Sequence, residues 1–518
     1  MSTREVDIAV VGSGFAGSIL AMIARRLGKS VVLLERGHHP RFAIGESSTP
    51  LAALLLESIA RRYDLPRLLP FTKYGAWKRS YPDVGCGLKR GFSFFRHRRG
   101  QPFTSDDNRR DQLLVAASPH DEIGDVHWYR PDFDHFLVRE AAAMGAEYLD
   151  GVALTTFERR GDRTHLGGTR GGEPVEFAAR LVVDATGPRG FLHRQLSLGQ
   201  RELPGLLPAQ ALFSHFTGVR LFTDVAPGAF AGTPPYAPDA AAVHHVLDGG
   251  WIWVLRFDNG VTSAGVAATD ALANDVGLSD GAASWDRLLA RYPSVAAQFA
   301  DAKPTLPFVR MPRLAFSGAT VSGDGWVMLP SAAGIVDPLL STGFPLTLLG
   351  IERVAAALAE AWDSPRLGLR LAEYAARTQA ELDVTARLVG ALYGAFDDWE
   401  GFTALAHLYF AAASFAESAR RIGHGELAGD AFMLGGHAHF VPALERCLAI
   451  AHSGAGDLPS AVADAIEPVN VAGLHNPARR NWYPCDAADI MTAAGKLRAS
   501  EGEVVAMLKR CGFKPGRG

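Results

Sequence analysis

Val6-Asp7-Ile8-Ala9-Val10-Val11-Gly12-Ser13-Gly14-Phe15-Ala16-Gly17 opens the chain, and the reading of this stretch decides the fold. Val6 to Val11 reads as a buried strand, Ser18 to Leu27 as a helix and Ser30 to Leu34 as a second strand, closed by the acid Glu35. Strand, glycine turn, helix, strand and acid, in that order, make a dinucleotide-binding βαβ unit. Gly12 permits the tight turn, Gly14 lets the backbone approach a pyrophosphate, and Gly17 lets the helix lie close to the sheet, with Ala16 between them. The helix start offers unpaired N–H groups and a partial positive charge to the phosphates. Glu35 is placed to accept hydrogen bonds from a ribose diol, and Arg36 beside it is counted among the cofactor contacts.

The glycine turn alone does not separate FAD from NAD. Three later stretches favour FAD. Tyr129-Arg130-Pro131-Asp132-Phe133-Asp134 leads into a helical run, Arg180 to Asp184 reads as a strand ending in the small-residue turn Ala185-Thr186-Gly187, and Gly325 to Leu329 reads as a strand followed by Ser331-Ala332-Ala333-Gly334. A plain dehydrogenase does not need such distant returns to its nucleotide domain. An extended FAD does, because its isoalloxazine lies far from its adenine.

Outward from that unit, the bulk numbers bound the rest. At 518 residues the chain exceeds what one core supports, so several domains are expected. A hydrophobic share of 48% and a charged share of 21% are ordinary globular values, and a net charge of −3 gives no reason to expect a nucleic-acid or anionic-membrane partner. Arg96-His97-Arg98-Arg99 reads as a solvated loop. Cys86, Cys447, Cys485 and Cys511 show no metal-ligand spacing and suggest reduced structural thiols. With neither a signal peptide nor a spanning segment, a cytoplasmic enzyme is expected.

The expected architecture is α/β. A Rossmann-type FAD-binding domain occupies 1–195, with a substrate-side excursion at about 70–125. An antiparallel-sheet substrate domain spans 196–320, residues 321–362 return to the FAD domain, and a mainly helical cap covers 363–518. His244–Leu247, Trp251–Phe257 and Val261–Ala268 read as a meander, turned at Asp258-Asn259-Gly260. Helices are expected over Ile351–Trp362, Arg370–Phe396, Phe402–Ile422 and Val441–Ala451.

Taken together, these motifs resemble the phenol- and pyrrole-type flavin-dependent halogenases, within the para-hydroxybenzoate-hydroxylase-like flavoproteins. Gly45-Glu46-Ser47-Ser48-Thr49-Pro50 is similar to the family segment that crosses the flavin, Asp337-Pro338-Leu339-Leu340-Ser341-Thr342-Gly343 to the loop at the other end of the ring, and Trp251-Ile252-Trp253 to the start of its Trp-x-Trp-x-Ile-Pro signature. The resemblance implies reduced FAD from a separate NAD(P)H-dependent flavin reductase, oxygen, and chloride or bromide as co-substrate. It further implies a lysine that directs hypohalous acid onto an electron-rich aromatic molecule, free or tethered to a carrier protein. Ser341, Thr342 and Gly343 are carried over as the halide site, since a nest of backbone N–H groups holds an anion without the tight grip of a lone cation. Lys73, in Phe71-Thr72-Lys73-Tyr74-Gly75-Ala76, is carried over as the catalytic lysine, with Lys78 and Lys89 as rivals. Ser47, Arg130, Ser331 and Gly334 are carried over as FAD contacts, while Asp184 is read as structural.

The chain departs from the pattern in three places. Pro330-Ser331 stands where the family commonly has Gly-Asp. The tryptophan signature runs on as Val254-Leu255-Arg256. Leu340 stands where tryptophan-type members carry Glu, and Pro345 follows the halide loop closely. A flavin monooxygenase (hydroxylase or epoxidase), a flavin-dependent reductase and a non-catalytic flavin binder are the competing expectations.

Overall fold

The computed structural model describes residues 3–513. Val6 to Val11 does form the core of a strand, Arg4–Val11, and it lies at the middle of the first sheet because both of its faces are apolar. Glu173–Asp184 and Val31–Leu34 flank it in parallel, Trp326–Met328 extends the sheet past the first, and Glu147–Leu149 past the second. The helix Phe15–Arg26 crosses over this sheet, with every residue from Phe15 to Ala24 buried. All the nucleotide-side turns therefore open at one end, where the strands stop at Val11, Leu34 and Asp184.

The predicted meander is present as Ala242–Leu247, Gly250–Arg256 and Thr262–Thr269. It belongs to a nine-stranded sheet that also takes in Gly91–Arg96, Gln112–Ala116 and Trp482–Tyr483, so three distant parts of the chain share one sheet. Gly91–Arg96 pairs in parallel with Ala242–Leu247, a non-local contact that no hairpin signal announces. Between the two sheets, Cys86–Lys89 and Asp125–Trp128 form a short antiparallel ribbon.

The helical region is built from Gly343–Ala361, Arg366–Gly394, Trp399–Ile422 and Phe440–Ser453. The first of these starts eight residues before the expected Ile351, directly off the 337–343 loop. Pro345 does not prevent this, because it sits in the first turn, where its missing N–H would have no intrahelical partner. Arg96-His97-Arg98-Arg99 is not wholly a solvated loop: His97 is buried, with Nε2 2.9 Å from His245 Nδ1. All four cysteines are free thiols. No helix among the described residues is long and apolar enough to cross a membrane.

Candidate functional site

One end of the site is the glycine turn. Gly12 has φ +101°, and a Cβ there would come within 2.6 Å of the Ala185 carbonyl oxygen; one on Gly17 would lie 2.0 Å from the Gly12 oxygen. Both glycines are demanded by the protein's own packing. Gly14 differs: its Cβ position is bounded by Arg130 Nη2 at 3.5 Å and Asp134 Oδ2 at 3.6 Å, and no side chain caps the helix that follows. Its uncapped N–H groups thus remain for an anionic ligand. Ala16 is buried inside that helix.

Glu35 accepts hydrogen bonds from the Ser13 N–H (3.1 Å), the Ser13 hydroxyl (2.9 Å) and the Gly37 N–H (2.9 Å), and its Oε2 lies 3.0 Å from Arg41 Nη2. Burial pushes this carboxyl up, but the Arg41 charge and the N–H donors outweigh it and bring it down to about 2. It is a fixed anion at the site where a ribose diol would donate. Arg36 is exposed.

Arg130 donates to both Asp134 oxygens at 2.8 and 2.7 Å, to the Gly45 carbonyl at 2.9 Å and to the Ile44 carbonyl at 3.3 Å, and it lies 5.0 Å from the Phe15 ring centroid. It is a clamp that ties segment 44–45 to the glycine turn. Asp184 accepts from Thr186 and from the Leu192 N–H, and is structural, as read.

The other end of the site is assembled from many segments. Ser47, within Gly45–Pro50, and Ser341, within the 337–343 loop, meet at 3.1 Å between hydroxyl oxygens. Ser341 holds a left-handed backbone at φ +54°, Thr342 is buried behind it, and Gly343 is exposed with open space where a Cβ would stand. Asp337 anchors the loop by accepting from the Leu339 N–H (2.9 Å) and the Tyr393 hydroxyl (2.8 Å), and burial pushes its carboxyl up to about 7. Tyr393 in turn accepts from Trp251 Nε1 at 3.1 Å, so the tryptophan signature is wired to the loop. Trp251 and Trp253 are both buried, with ring centroids 5.7 Å apart. Arg256, the charge in the altered signature, donates to the Val219 carbonyl at 3.0 Å.

The lysine between Ser47 and Ser341 is Lys89. It is 0% exposed, and its Nζ donates to Ser47 Oγ at 2.8 Å, to the Ser48 carbonyl, and to Ser341 Oγ at 3.4 Å, lying 3.9 Å from the Phe92 ring centroid. Burial pulls its ammonium down to about 7, against the raising effect of Asp125. Lys73 is half-buried at the start of the short helix Tyr74–Ser80 and makes none of these contacts; Lys78 pairs with Asp258. Lys89 and Arg90 are the two charges in the otherwise uncharged run Cys86-Gly87-Leu88-Lys89-Arg90-Gly91-Phe92-Ser93-Phe94-Phe95, and both are buried.

Ser331 lies half-buried in the short helix Pro330–Ala333, and Pro330 fits against Gly350, where a Cβ would meet it at 2.2 Å. A Cβ on Gly334 would come within 2.5 Å of Leu382, so that glycine answers to helix packing.

Three kinds of protein likeness bear on this geometry. The family model described as "Tryptophan halogenase" matches residues 126–400, and one described as "NAD(P)-binding Rossmann-like domain" matches residues 10–50. The chain belongs to this flavin-dependent halogenase family and is an enzyme of that class. It is 30% identical to the monodechloroaminopyrrolnitrin halogenase PrnC of Pseudomonas fluorescens, over 77% of this chain and 70% of that one. It is 29% identical to the tetracycline 7-halogenase of Kitasatospora aureofaciens, over 69% and 64%. In fold it is similar to halogenase PltM, solved in complex with phloroglucinol and FAD, at a TM-score of 0.71 and 22% identity over 98% of this chain and 96% of that one.

Proposed function

We propose that this enzyme halogenates an electron-rich aromatic substrate and that Lys89, rather than Lys73, is its reaction lysine. The observation that carries the assignment is the meeting of the buried Lys89 Nζ with Ser47 Oγ and Ser341 Oγ within 3.4 Å. Bound reduced FAD supplies the electrons that turn oxygen and halide into hypohalous acid. A separate NAD(P)H-dependent reductase delivers that flavin, and chloride or bromide is the co-substrate.

The chain's own residues divide the rest of the work. The open helix start at Gly14 holds the pyrophosphate, and ionised Glu35 holds the ribose. Arg130 keeps segment 44–45 over the turn, and Ser47 borders the ring. Thr342 and Gly343, at the start of the helix Gly343–Ala361, hold the halide, where the exposed glycine leaves its side of the backbone open. Lys89, through its bonds to Ser47 and Ser341, sits where the two segments meet, and exchanging the long 3.4 Å bond to Ser341 frees an N–H for the product of the halide step. Phe92 lies against the lysine, and Phe410, Phe94 and His244 continue from it as an aromatic cluster, with Phe94 and His244 stacked at 4.3 Å. Such a cluster suits a flat phenol or pyrrole ring. Relatives 24% identical are named for pyrrole carried on a peptidyl-carrier protein, which makes a carrier-tethered ring the second substrate form to test.

The test supplies NADH, a flavin reductase, FAD, bromide and phloroglucinol as the probe ring, with products read by mass spectrometry. Brominated product is expected from the native chain and from Lys73→Ala, and none from Lys89→Met, which still oxidises reduced flavin. Brominated product from Lys89→Met overturns the assignment.

A further inference from the structure

Four arginines that the site as described does not use gather on the surface beside the glycine turn. Arg189 follows the small-residue turn at the end of the strand Glu173–Asp184, where Ala185 meets Gly12. It holds a left-handed backbone at φ +55°, which is costly for a residue with a side chain unless its surroundings fix it. Its own guanidinium does so, reaching past the edge strand Val309–Met311 to donate to the Ala315 carbonyl at 2.9 Å and the Arg313 carbonyl at 3.5 Å. Arg194 donates to the Arg189 carbonyl at 2.7 Å. Arg310 donates to Gln210 Oε1 at 2.8 Å, Arg313 pairs with Asp270 at 2.8 Å, and Gln210 donates to the same Asp270 at 2.9 Å. The four cations therefore form one patch. Arg194, Arg310 and Arg313 are exposed and Arg189 is half-buried. Asp270 is the only carboxylate in ion-pair contact with any of them among the described residues. In a chain of net charge −3, the patch runs against the overall sign.

The patch leads inward to the phosphate end of the site. Val309 on the edge strand pairs with Phe213, whose ring centroid lies 5.9 Å from that of Phe42. Next to Phe42 is Arg41, whose Nη2 stands 3.9 Å from where a Cβ on Gly14 would be; Arg130 Nη2 reaches the same point at 3.5 Å. Arg41 Nε is buried and has no hydrogen-bond partner among the described residues. Guanidinium groups thus run from the exposed rim to the uncapped helix start. The outer ones keep donors to spare. Arg310 donates through Nη2 alone and Arg313 through Nη1 alone, so each has a free edge of the kind that binds phosphate.

We propose that Arg189, Arg194, Arg310 and Arg313 form an encounter site that captures the diphosphate of FAD from solution and passes it to Arg41 and the Gly14 turn; this rests on reduced FAD arriving from a separate reductase. Reduced flavin free in solution is oxidised by oxygen, so a cofactor that travels between two proteins must be caught quickly. No bond is made or broken in this step. A cluster of like charge at the mouth of a site raises the association rate of an oppositely charged ligand by about ten- to a thousandfold at low ionic strength. The effect fades as added salt shortens the screening length, which is about 10 Å at 0.1 M. Charges on a rim act on the rate of arrival, whereas contacts made in the bound state act on the rate of departure. The patch lies outside the glycine turn, so arrival is what it governs.

The experiment follows FAD binding itself, with no substrate and no turnover. Oxidised FAD is mixed with the flavin-stripped full-length chain in a stopped-flow fluorimeter, over sodium acetate from about 20 mM to about 500 mM, a salt that brings no chloride or bromide. The native association rate is expected to fall roughly tenfold or more across that range. The double variant Arg310→Glu with Arg313→Glu should already be roughly tenfold slower at the lowest salt and nearly flat thereafter, with a dissociation rate within about twofold of native. If that variant does not fold, Arg310→Gln with Arg313→Gln should show the same change at roughly threefold. A control changes the net charge equally elsewhere: Arg366→Glu with Arg446→Glu, both exposed on the helical region, should associate at close to the native rate. Three results overturn the proposal: a native rate that ignores salt, a patch variant as fast as native at low salt, or a control slowed as much as the patch variant. A change confined to the dissociation rate overturns it too, because it makes these arginines contacts of the bound state. Failure here and failure of the halogenase reading are separate, since the FAD association rate is measured whether or not bromination is found.

Discussion

The two ends of the site handle buried charge in opposite ways. At the glycine turn, Glu35 is surrounded by donors: one guanidinium, two backbone N–H groups and a hydroxyl hold it fully ionised. At the other end, Lys89 and Asp125 are fully buried, and burial pulls the ammonium down and pushes the carboxyl up. The first arrangement suits binding, where a charge must stay fixed. The second suits chemistry, where a proton must be able to move at working pH. The same contrast appears in the glycines, since Gly12 and Gly17 are packed solid whereas Gly343 faces open space.

The largest effect expected on this contrast is at its reactive end. Lys89→Met should lower aromatic halogenation by roughly a thousandfold, within the range a positioned proton-transfer or hydrogen-bonding group contributes, while reduced flavin is still consumed by oxygen. Product yield against oxygen uptake checks it. At the binding end, Gly17→Ala should prevent FAD retention altogether, because the new Cβ would lie 2.0 Å from the Gly12 oxygen and neither backbone segment can yield without moving the turn. Flavin absorbance after gel filtration reads this directly.

A change in pH tests the binding end. Glu35 has its folded value lowered to about 2 from 4.5, so its contribution to stability is present above about 4.5 and is lost as pH falls through the folded value. The difference corresponds to about 3 kcal/mol, and Glu35→Gln should flatten that part of an acid-unfolding curve. If Glu35→Gln unfolds in acid just as the native chain does, the donors around Glu35 are not holding its charge. The smallest effect is expected at the wire between them: Trp251→Phe removes one N–H to Tyr393 and should cost about 1 kcal/mol of stability. It should also loosen Asp337 and the halide loop, read as weaker bromide dependence of product formation.

How much of this was legible in the chain itself differs between the same two regions. The strand–turn–helix–strand–acid order at 6–35 needs only neighbours in sequence, and the α/β architecture, the meander at 242–269 and the long helices followed from local periodicity. Helix Gly343–Ala361 began earlier than its apolar pattern suggested, because a proline in a first turn does not break a helix. The lysine was placed at Lys73 by the resemblance of its segment, and Lys73 lies half-buried at the start of the helix Tyr74–Ser80. Nothing in the linear order of Lys73, Lys78 and Lys89 distinguishes them.

What the sequence determined by itself was therefore the nucleotide-binding unit and the class of fold, since each is encoded in consecutive residues whose backbone geometry is locally dictated. Only the tertiary structure decided which lysine meets the 337–343 loop and what stands behind it. Ser47, Lys89, Asp125 and Ser341 come from four separate segments, brought together by the ribbon between the two sheets and by the loop entering the helix Gly343–Ala361. Burial, which sets the charge of Lys89 and Asp125, is a property of that assembly and of no single stretch of the chain.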